Sequence, residues 1–294
     1  MSRLLSALLI ALVSGCTSDL GDLEMLPPGN HEVDAAALRA IFEERSLVRV
    51  RPADAGTPGM PPLERLANDE VDLAFTQNSN AFVPGVRAVL PAHRSVLHVL
   101  VREAIAGQGS FTSLRHKSVY VANNSDAGRA LVRLAAQRQY VEESEFQLVE
   151  ELVPGETDVL VYLGPLIPTT PVWYREGYSF GALAPTQGRE AGAGGEFVKY
   201  LVPNMYPAVI PARTYNIPGN EVDLPTLAVD TLLVTRRDVP ERVVYELTRT
   251  LLEQKPRFTA VAPQLFQGLN ESFEPLDLNF PLHSGARRYL ERDE

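Results

Sequence analysis

Apolar and polar positions along this chain switch repeatedly between helical and strand spacing. Ala35 to Glu44 carries Leu38, Ile41 and Phe42 at helical spacing, and Leu47 to Val50 then predicts a strand. After the Pro/Gly-rich loop 55–59, Pro61 or Pro62 opens a helix through Leu63 and Leu66 that ends near Asn68. Val71 to Phe75 predicts the next strand, with Thr76-Gln77-Asn78-Ser79 as the loop at its carboxyl end. Val86 to Leu90 and Val96 to Val101 predict two more strands. Ser118 to Ala122 predicts another, followed by the loop Asn123-Asn124-Ser125 and a helix from about Asp126 to Gln137. Asp158 to Tyr162 predicts a strand that runs out in Gly164-Pro165. Gly188 to Gly195 predicts a flexible surface loop. Asp238 precedes a helix start at Val239-Pro240-Glu241, and Val243, Val244, Leu247, Leu251 and Leu252 form that helix's apolar stripe. No internal repeat is visible. Strand, polar loop and helix in repeated order predict an α/β fold with a mostly parallel sheet. Ligands in such sheets sit beyond the carboxyl ends of strands. Those ends here carry Gln77 and Asn78, then Asn124 and Ser125, then Tyr162 and Gly164.

The amino terminus follows a different rule. Arg3 is a positive flank, Leu4 to Val13 is a short apolar run, and Val13-Ser14-Gly15-Cys16 follows. The run is too short to span a hydrocarbon core of roughly 30 Å and has the shape of a signal peptide. Its end resembles the lipobox of bacterial lipoproteins. That resemblance implies a signal peptide over residues 1–15, cleavage before Cys16, and acyl chains on Cys16. A lipidated tether over 16–24 would follow. Each buried methylene adds about 0.8 kcal/mol, so several chains anchor stably. The expected location is periplasmic or otherwise extracytoplasmic, tethered by lipid to a bacterial membrane. Thr17, where Asp would retain a lipoprotein at the inner membrane, resembles sorting to an outer membrane.

Composition narrows the chemistry. Cys16 is the only cysteine, so no internal disulfide, zinc cluster or redox pair forms. A net charge of −10 and a pI near 5.1 argue against a nucleic-acid partner. His31-Glu32 lacks the second histidine of HExxH, and His93, His98, His116 and His283 have no metal-ligand spacing. There is no GxSxG elbow, and the glycine-rich loop matches neither GKS/T nor GxGxxG. The expectation is a binding protein, not an enzyme, with no metal and no cofactor.

Five segments resemble, in order, the TAXI family of solute-binding receptors, the extracytoplasmic receptors of one branch of TRAP transporters. Leu66-Ala-Asn-Asp-Glu-Val-Asp-Leu-Ala-Phe-Thr-Gln-Asn78 is similar to "LasGeaDlgfvQnD". Phe111-Thr-Ser-Leu-Arg-His-Lys-Ser-Val-Tyr-Val121 is similar to "sLadLkGKrVsv". Pro203-Asn-Met-Tyr-Pro-Ala-Val-Ile-Pro-Ala-Arg-Thr-Tyr215 is similar to "yPfyvpatIPagtY". Leu224-Pro-Thr-Leu-Ala-Val229 is similar to "vpTvav", and Leu282-His-Ser-Gly-Ala-Arg-Arg-Tyr289 to "lHpGAirYy". The resemblance spans roughly residues 33–290. It implies a two-lobed type II periplasmic-binding-protein fold with a ligand cleft between the lobes. Lobe 1 would comprise 25–97 and 236–294, and lobe 2 would comprise 98–235. Val96 to Val101 and Leu227 to Thr235 would cross between them. It also implies a small organic acid or amino acid as ligand, anionic or zwitterionic, and TRAP-type permease subunits as partners.

Two departures stand out. The family's Gly-rich first loop, similar to "GTGgtYYplG", is replaced by Leu23-Glu-Met-Leu-Pro-Pro-Gly-Asn-His31. Its "GSGT" helix start is replaced by Asn124-Ser125-Asp126-Ala127-Gly128. The ligand therefore differs from the family's usual one, or the lipoprotein acts as a sensory or interaction partner without transport.

The candidate ligand-binding residues are Gln77, Asn78, Asn124, Ser125, Asp126, Tyr162, Gly164 and Arg213. Ser125 heads a predicted helix, where free N–H groups suit a carboxylate, or where it only caps. Asp126 beside it would compete with an anion. Gln77 and Asn78 bind through their amides or simply make the turn. Arg213, and with it Arg94, could clamp a carboxylate bidentately or be a solvated charge. Trp173, Tyr174 and Tyr178 wall a pocket or fill a core.

Overall fold

A computed structural model of the chain describes residues 21–25, 35–45, 48–53, 60–106, 113–122, 125–167, 174–181, 204–269 and 278–292. The leader with Cys16, Asn124, Trp173 and the glycine-rich loop 188–195 lie outside the described residues. In chain order the elements are β1 (Gly21–Met25), α1 (Ala35–Arg45), β2 (Val48–Pro52), α2 (Pro62–Ala67) and β3 (Leu73–Gln77). Next come β4 (Val86–Arg102), α3 (Glu103–Ala106), β5 (Ser118–Val121), α4 (Asp126–Arg138), β6 (Gln147–Val149) and β7 (Val159–Gly164). Then follow β8 (Tyr178–Phe180), β9 (Tyr206–Ile210), β10 (Leu224–Arg236) and the helices Glu241–Glu253, Lys255–Val261, Pro263–Phe266 and Ser284–Leu290.

The ten strands among the described residues belong to one sheet, in the order β2-β1-β3-β10-β4-β7-β5-β6, with β9 added to β10 and β8 to β4. The sheet is mixed where a mostly parallel one was expected. β1 is parallel to β2 and β3, and β5 to β6 and β7. Every pair involving β4 or β10 is antiparallel. The expected strands Val86–Leu90 and Val96–Val101 are a single strand of 17 residues. Pro91 does not break it, because β4 bulges there. Thr231 pairs with His93 and Leu232 with Pro91, which leaves Ala92 as the extra residue. A proline is tolerated at a bulge, where the regular ladder does not need its missing N–H. Gly21 to Glu24, expected at the end of the tether, pair with β2.

β4 and β10 belong to two lobes at once. In β10, side chains alternate strictly between the sheet's faces. On one face Leu233 joins the core under α1 and the helix Glu241–Glu253, while Val229 joins a separate core under α4. On the other face Leu232 and Val234 pack with Leu66, Val86 and Phe280, while Ala228 packs with Val96, Tyr162 and Tyr215. Among the described residues four apolar cores result, two for each lobe, and none of them crosses the middle of the long strands. Val243, Val244, Leu247, Leu251 and Leu252 are buried as their spacing predicts. Full burial of each such side chain contributes about 1.5–3 kcal/mol. The two-lobed α/β architecture that the resemblance implies is the one observed.

Candidate functional site

Between the cores each long strand loses its apolar pattern for two or three residues. β4 reads His93-Arg94-Ser95 between Ala92 and Val96, and β10 reads Asp230-Thr231 between Val229 and Leu232. The carboxyl end of β3 (Gln77, Asn78), the amino end of α4 (Ser125) and the start of β9 (Tyr206) meet this polar band. It has two faces.

On the α4 face, Gln77 is the register partner of Thr231. Ser125 is the N-cap of α4, and its hydroxyl accepts from the Gly128 N–H at 3.1 Å. A side chain would be crowded at Gly128: a Cβ there would lie 2.8 Å from Cγ1 of Val121 on β5, so one of the two must shift. The same Ser125 hydroxyl donates to Oε1 of Gln77 at 3.1 Å, a direct bond between the lobes. The two readings of Ser125 are thus not exclusive, since it caps the helix and also faces the junction. Beside it the buried hydroxyls of Ser95 and Thr231 bond at 2.8 Å, and Nδ1 of His93 lies 3.3 Å from the Leu265 carbonyl.

On the opposite face, Arg94 and Asp230 are register partners. Nε of Arg94 donates to the Tyr206 hydroxyl at 3.0 Å, and that hydroxyl donates to Oδ1 of Asp230 at 2.9 Å. The guanidinium carbon lies 5.3 Å from the Tyr206 ring centroid. Burial, reinforced by the Asp230 charge, pushes the Tyr206 hydroxyl up to about 12, so it stays protonated and donates. Burial also raises the Asp230 carboxyl, against the lowering pull of the Tyr206 hydrogen bond and the Arg94 charge.

Asn78 sits at the seam and is buried. Its N–H donates to the Asp230 carbonyl at 2.9 Å and its Oδ1 accepts from the Asn279 N–H at 3.0 Å. Its carbonyl accepts from Nδ2 of Asn204 at 2.9 Å, a second bond across the junction. The expected residues Gln77, Asn78 and Ser125 therefore come together, with Asp126 exposed next to Ser125. Asn124 lies outside the described residues. Tyr162 is placed in the core of lobe 2, 5.4 Å from the His98 ring, and its hydroxyl lies over Gly164, which pairs with Val96. Arg213 is exposed in the β9–β10 connection, beyond the Ile210–Leu224 pair and at the far end of that hairpin from the band. Tyr178 fills the core, donating to the Thr157 carbonyl at 2.6 Å. Asp230, Tyr206, Thr231, Ser95 and Asn204 escaped the sequence reading. The signal available for Asp230, Thr231 and Ser95 was the polar break inside two apolar strand runs.

Among the described residues no group of three or more His, Cys, Asp or Glu side chains could hold a metal ion, and no helix is long and apolar enough to cross a membrane. An open depression lined by Glu241, Tyr245, Arg287 and Arg288 lies on the helices of lobe 1 and shares no residue with the band.

The model of the NMT1-like family matches residues 196–292, about a third of the chain, which holds β9, β10 and the carboxyl-terminal helices. No curated protein matches. Among solved structures, the chain is similar to YckB of Bacillus subtilis, with 12% identity, 85% of this chain and 91% of that one covered, and a TM-score of 0.43. It is similar to the regulatory domain of MetR, a LysR-family regulator from N. meningitidis, with 10% identity, 83% and 97% covered, and a TM-score of 0.44. It is also similar to the effector-binding domain of a BenM variant, with 10% identity, 81% and 94% covered, and a TM-score of 0.44. All three superpositions fall below a TM-score of 0.5, and the strand order itself carries the fold assignment. The chain has a two-lobed α/β architecture whose lobes share the long strands β4 and β10, with an NMT1-like segment in its last third.

Proposed function

We propose that this chain is an extracytoplasmic solute-binding receptor, anchored through lipid on Cys16, that captures a small organic acid or amino acid for a TRAP-type transporter. The observation that carries the reading is the polar band. Among the described residues, two apolar lobes meet across hydrogen-bonding and charged side chains, at the carboxyl ends of strands, where an α/β sheet offers a ligand its place. A solute held by both lobes favours their closed arrangement by its differential affinity. The NMT1-like segment, which contributes Tyr206 and Asp230, supports a binding domain rather than a catalytic one. The test is thermal unfolding of the soluble chain against pools of amino acids and small organic acids. A solute at one hundred times its Kd adds about 2.7 kcal/mol, a shift of roughly 5–10 °C. No shift with any pool would remove the reading.

A second reading, a binding-fold lipoprotein that senses or docks without transport, is favoured by one observation. Ser125–Gln77 and Asn204–Asn78 already join the lobes directly, so closure does not depend on a solute. Affinity capture of the lipidated protein from its own membrane separates the two. Recovery of multi-span permease subunits supports transport, and recovery of a histidine kinase supports sensing.

A further inference from the structure

Two opposite charges face each other at the hinge and do not pair. Arg94 and Asp230 are register partners on β4 and β10, which puts their Cα atoms about 4.5–5.5 Å apart. Opposite charges directly opposed on a sheet attract each other. Here the Tyr206 hydroxyl stands between them, taking Nε of Arg94 on one side and Oδ1 of Asp230 on the other. Among the described residues, the two terminal nitrogens of Arg94 and Oδ2 of Asp230 have no hydrogen-bond partner.

The rest of the band is different. Ser125 is bonded to Gln77, Ser95 to Thr231, His93 to the Leu265 carbonyl, and Asn78 to β10, Asn204 and Asn279. Unused capacity of both signs is concentrated on the Arg94 face. The guanidinium carbon lies 5.3 Å from the Tyr206 ring centroid, with Nε bonded to that ring's hydroxyl, and the planar guanidinium fork is suited to a carboxylate taken bidentately. The half-buried Asp230 carboxylate has lost part of its hydration, and a cation beside it would restore what burial removed.

We propose that Arg94 and Asp230, held apart by Tyr206, form a zwitterion subsite in which the guanidinium takes a ligand carboxylate and Oδ2 of Asp230 takes its ammonium. The proposal rests on the solute-binding reading and narrows it to an α-amino acid, whose two charged groups sit on one carbon. Tyr206 is a positioning residue: without its hydroxyl, Arg94 and Asp230 are free to pair directly and close the subsite. A 2-oxo acid of the same skeleton keeps the carboxylate but leaves Oδ2 of Asp230 unpaired next to a ligand without positive charge. A site built around a polar partner discriminates strongly against the analogue that lacks it.

The experiment is calorimetry on the full soluble chain, first with each α-amino acid and its matched 2-oxo acid. The best amino acid is then titrated against Arg94→Gln and Asp230→Asn, with circular dichroism as the folding control. At least one amino acid binds, and its 2-oxo counterpart binds at least about tenfold more weakly. Arg94→Gln weakens the amino acid by about tenfold or more. Asp230→Asn weakens it too and narrows the amino-to-oxo ratio to within about threefold, which a purely structural role would not do. Equal affinity of the wild type for the amino acid and its 2-oxo acid overturns the proposal, with no variant needed. So does unchanged amino-acid binding in both folded variants; in either case the receptor reading stands. Silence from every amino acid and organic acid overturns both.

Discussion

His98 is buried in lobe 2 among Tyr162, Phe180 and Tyr215, with Nδ1 2.8 Å from the Val96 carbonyl and Nε2 2.9 Å from the Tyr215 hydroxyl. Burial lowers its pKa from 6.5 to about 4, against the raising pull of its carbonyl partners. The unfolded chain therefore binds this proton between about pH 6.5 and 4 and the folded chain does not. The contribution is complete above pH 6.5 and is lost as pH falls towards 4, by about 3 kcal/mol. His283 is lowered in the same direction, also chiefly by burial. Urea midpoints at pH 7, 6, 5 and 4 should fall steadily, and a flat series would contradict a neutral buried imidazole. Next to His98, Gly164 has no room for a side chain: a Cβ would lie 2.1 Å from the Tyr162 hydroxyl oxygen. Gly164→Ala must drive Tyr162 out of a packed core, at a cost of about 1–3 kcal/mol in urea unfolding. A neutral result would mean that the ring moves freely. In the sequence both residues are ligand candidates by their strand-end position. Neither role could be separated from packing without knowing what lay across the strand.

At the scale of elements, the segment Leu282 to Tyr289 shows what a family-like motif is for. His283 caps the last helix, its Nδ1 accepting from the Gly285 N–H at 3.1 Å, while its own N–H donates to the Ala88 carbonyl on β4 at 2.8 Å. Gly285 lets this helix touch the backbone of Glu241–Glu253: a Cβ would lie 2.2 Å from the Glu241 carbonyl oxygen and 2.8 Å from the Tyr245 nitrogen. Backbone cannot swing aside as a side chain can. Gly285→Ala should therefore cost more than Gly164→Ala, about 3 kcal/mol or more. Parallel urea titrations of the two variants check the order, and the reverse order would refute the close approach. Element types were legible along most of the chain because periodicity is local. The helix expected from Asp126 to Gln137 runs to Arg138, and the stripe from Val243 to Leu252 is buried. The sequence predicts two strands where β4 is one, because Pro91 and three polar residues interrupt its apolar run. The bulge that keeps it continuous depends on its pairing with β10, more than a hundred residues away.

At the scale of the whole molecule, two lobes with separate cores share two strands. The lobes cannot turn relative to each other without bending β4 and β10 near Arg94 and Asp230. A ligand on that face would thus act where the hinge bends, and the lobe–lobe bonds of Ser125 and Asn204 would resist opening. The proposed anchor belongs to this scale too. Lipid on Cys16 would confine the receptor to a membrane surface and raise its concentration near a membrane partner. Cys16→Ser should move the expressed protein from the membrane fraction to the soluble fraction or leave it as uncleaved precursor. Unchanged fractionation, by immunoblot, would refute the anchor, and separation of the inner and outer membranes would test the reading of Thr17.

Local order along the chain was enough to determine the alternation of strands and helices over most of its length, the Ser125 cap, the apolar stripes, and the polar residues at the end of β3 and before α4. These follow from neighbours a few positions apart, whose periods and turn chemistry are written in the sequence. Which polar groups meet was decided only by the tertiary structure. Ser125 reaches Gln77 across 48 positions, and Arg94 reaches Tyr206 across 112. Both meetings depend on the register of two long strands and on two bulges. That register is set by the packing of four cores at once, so no window of sequence contains it.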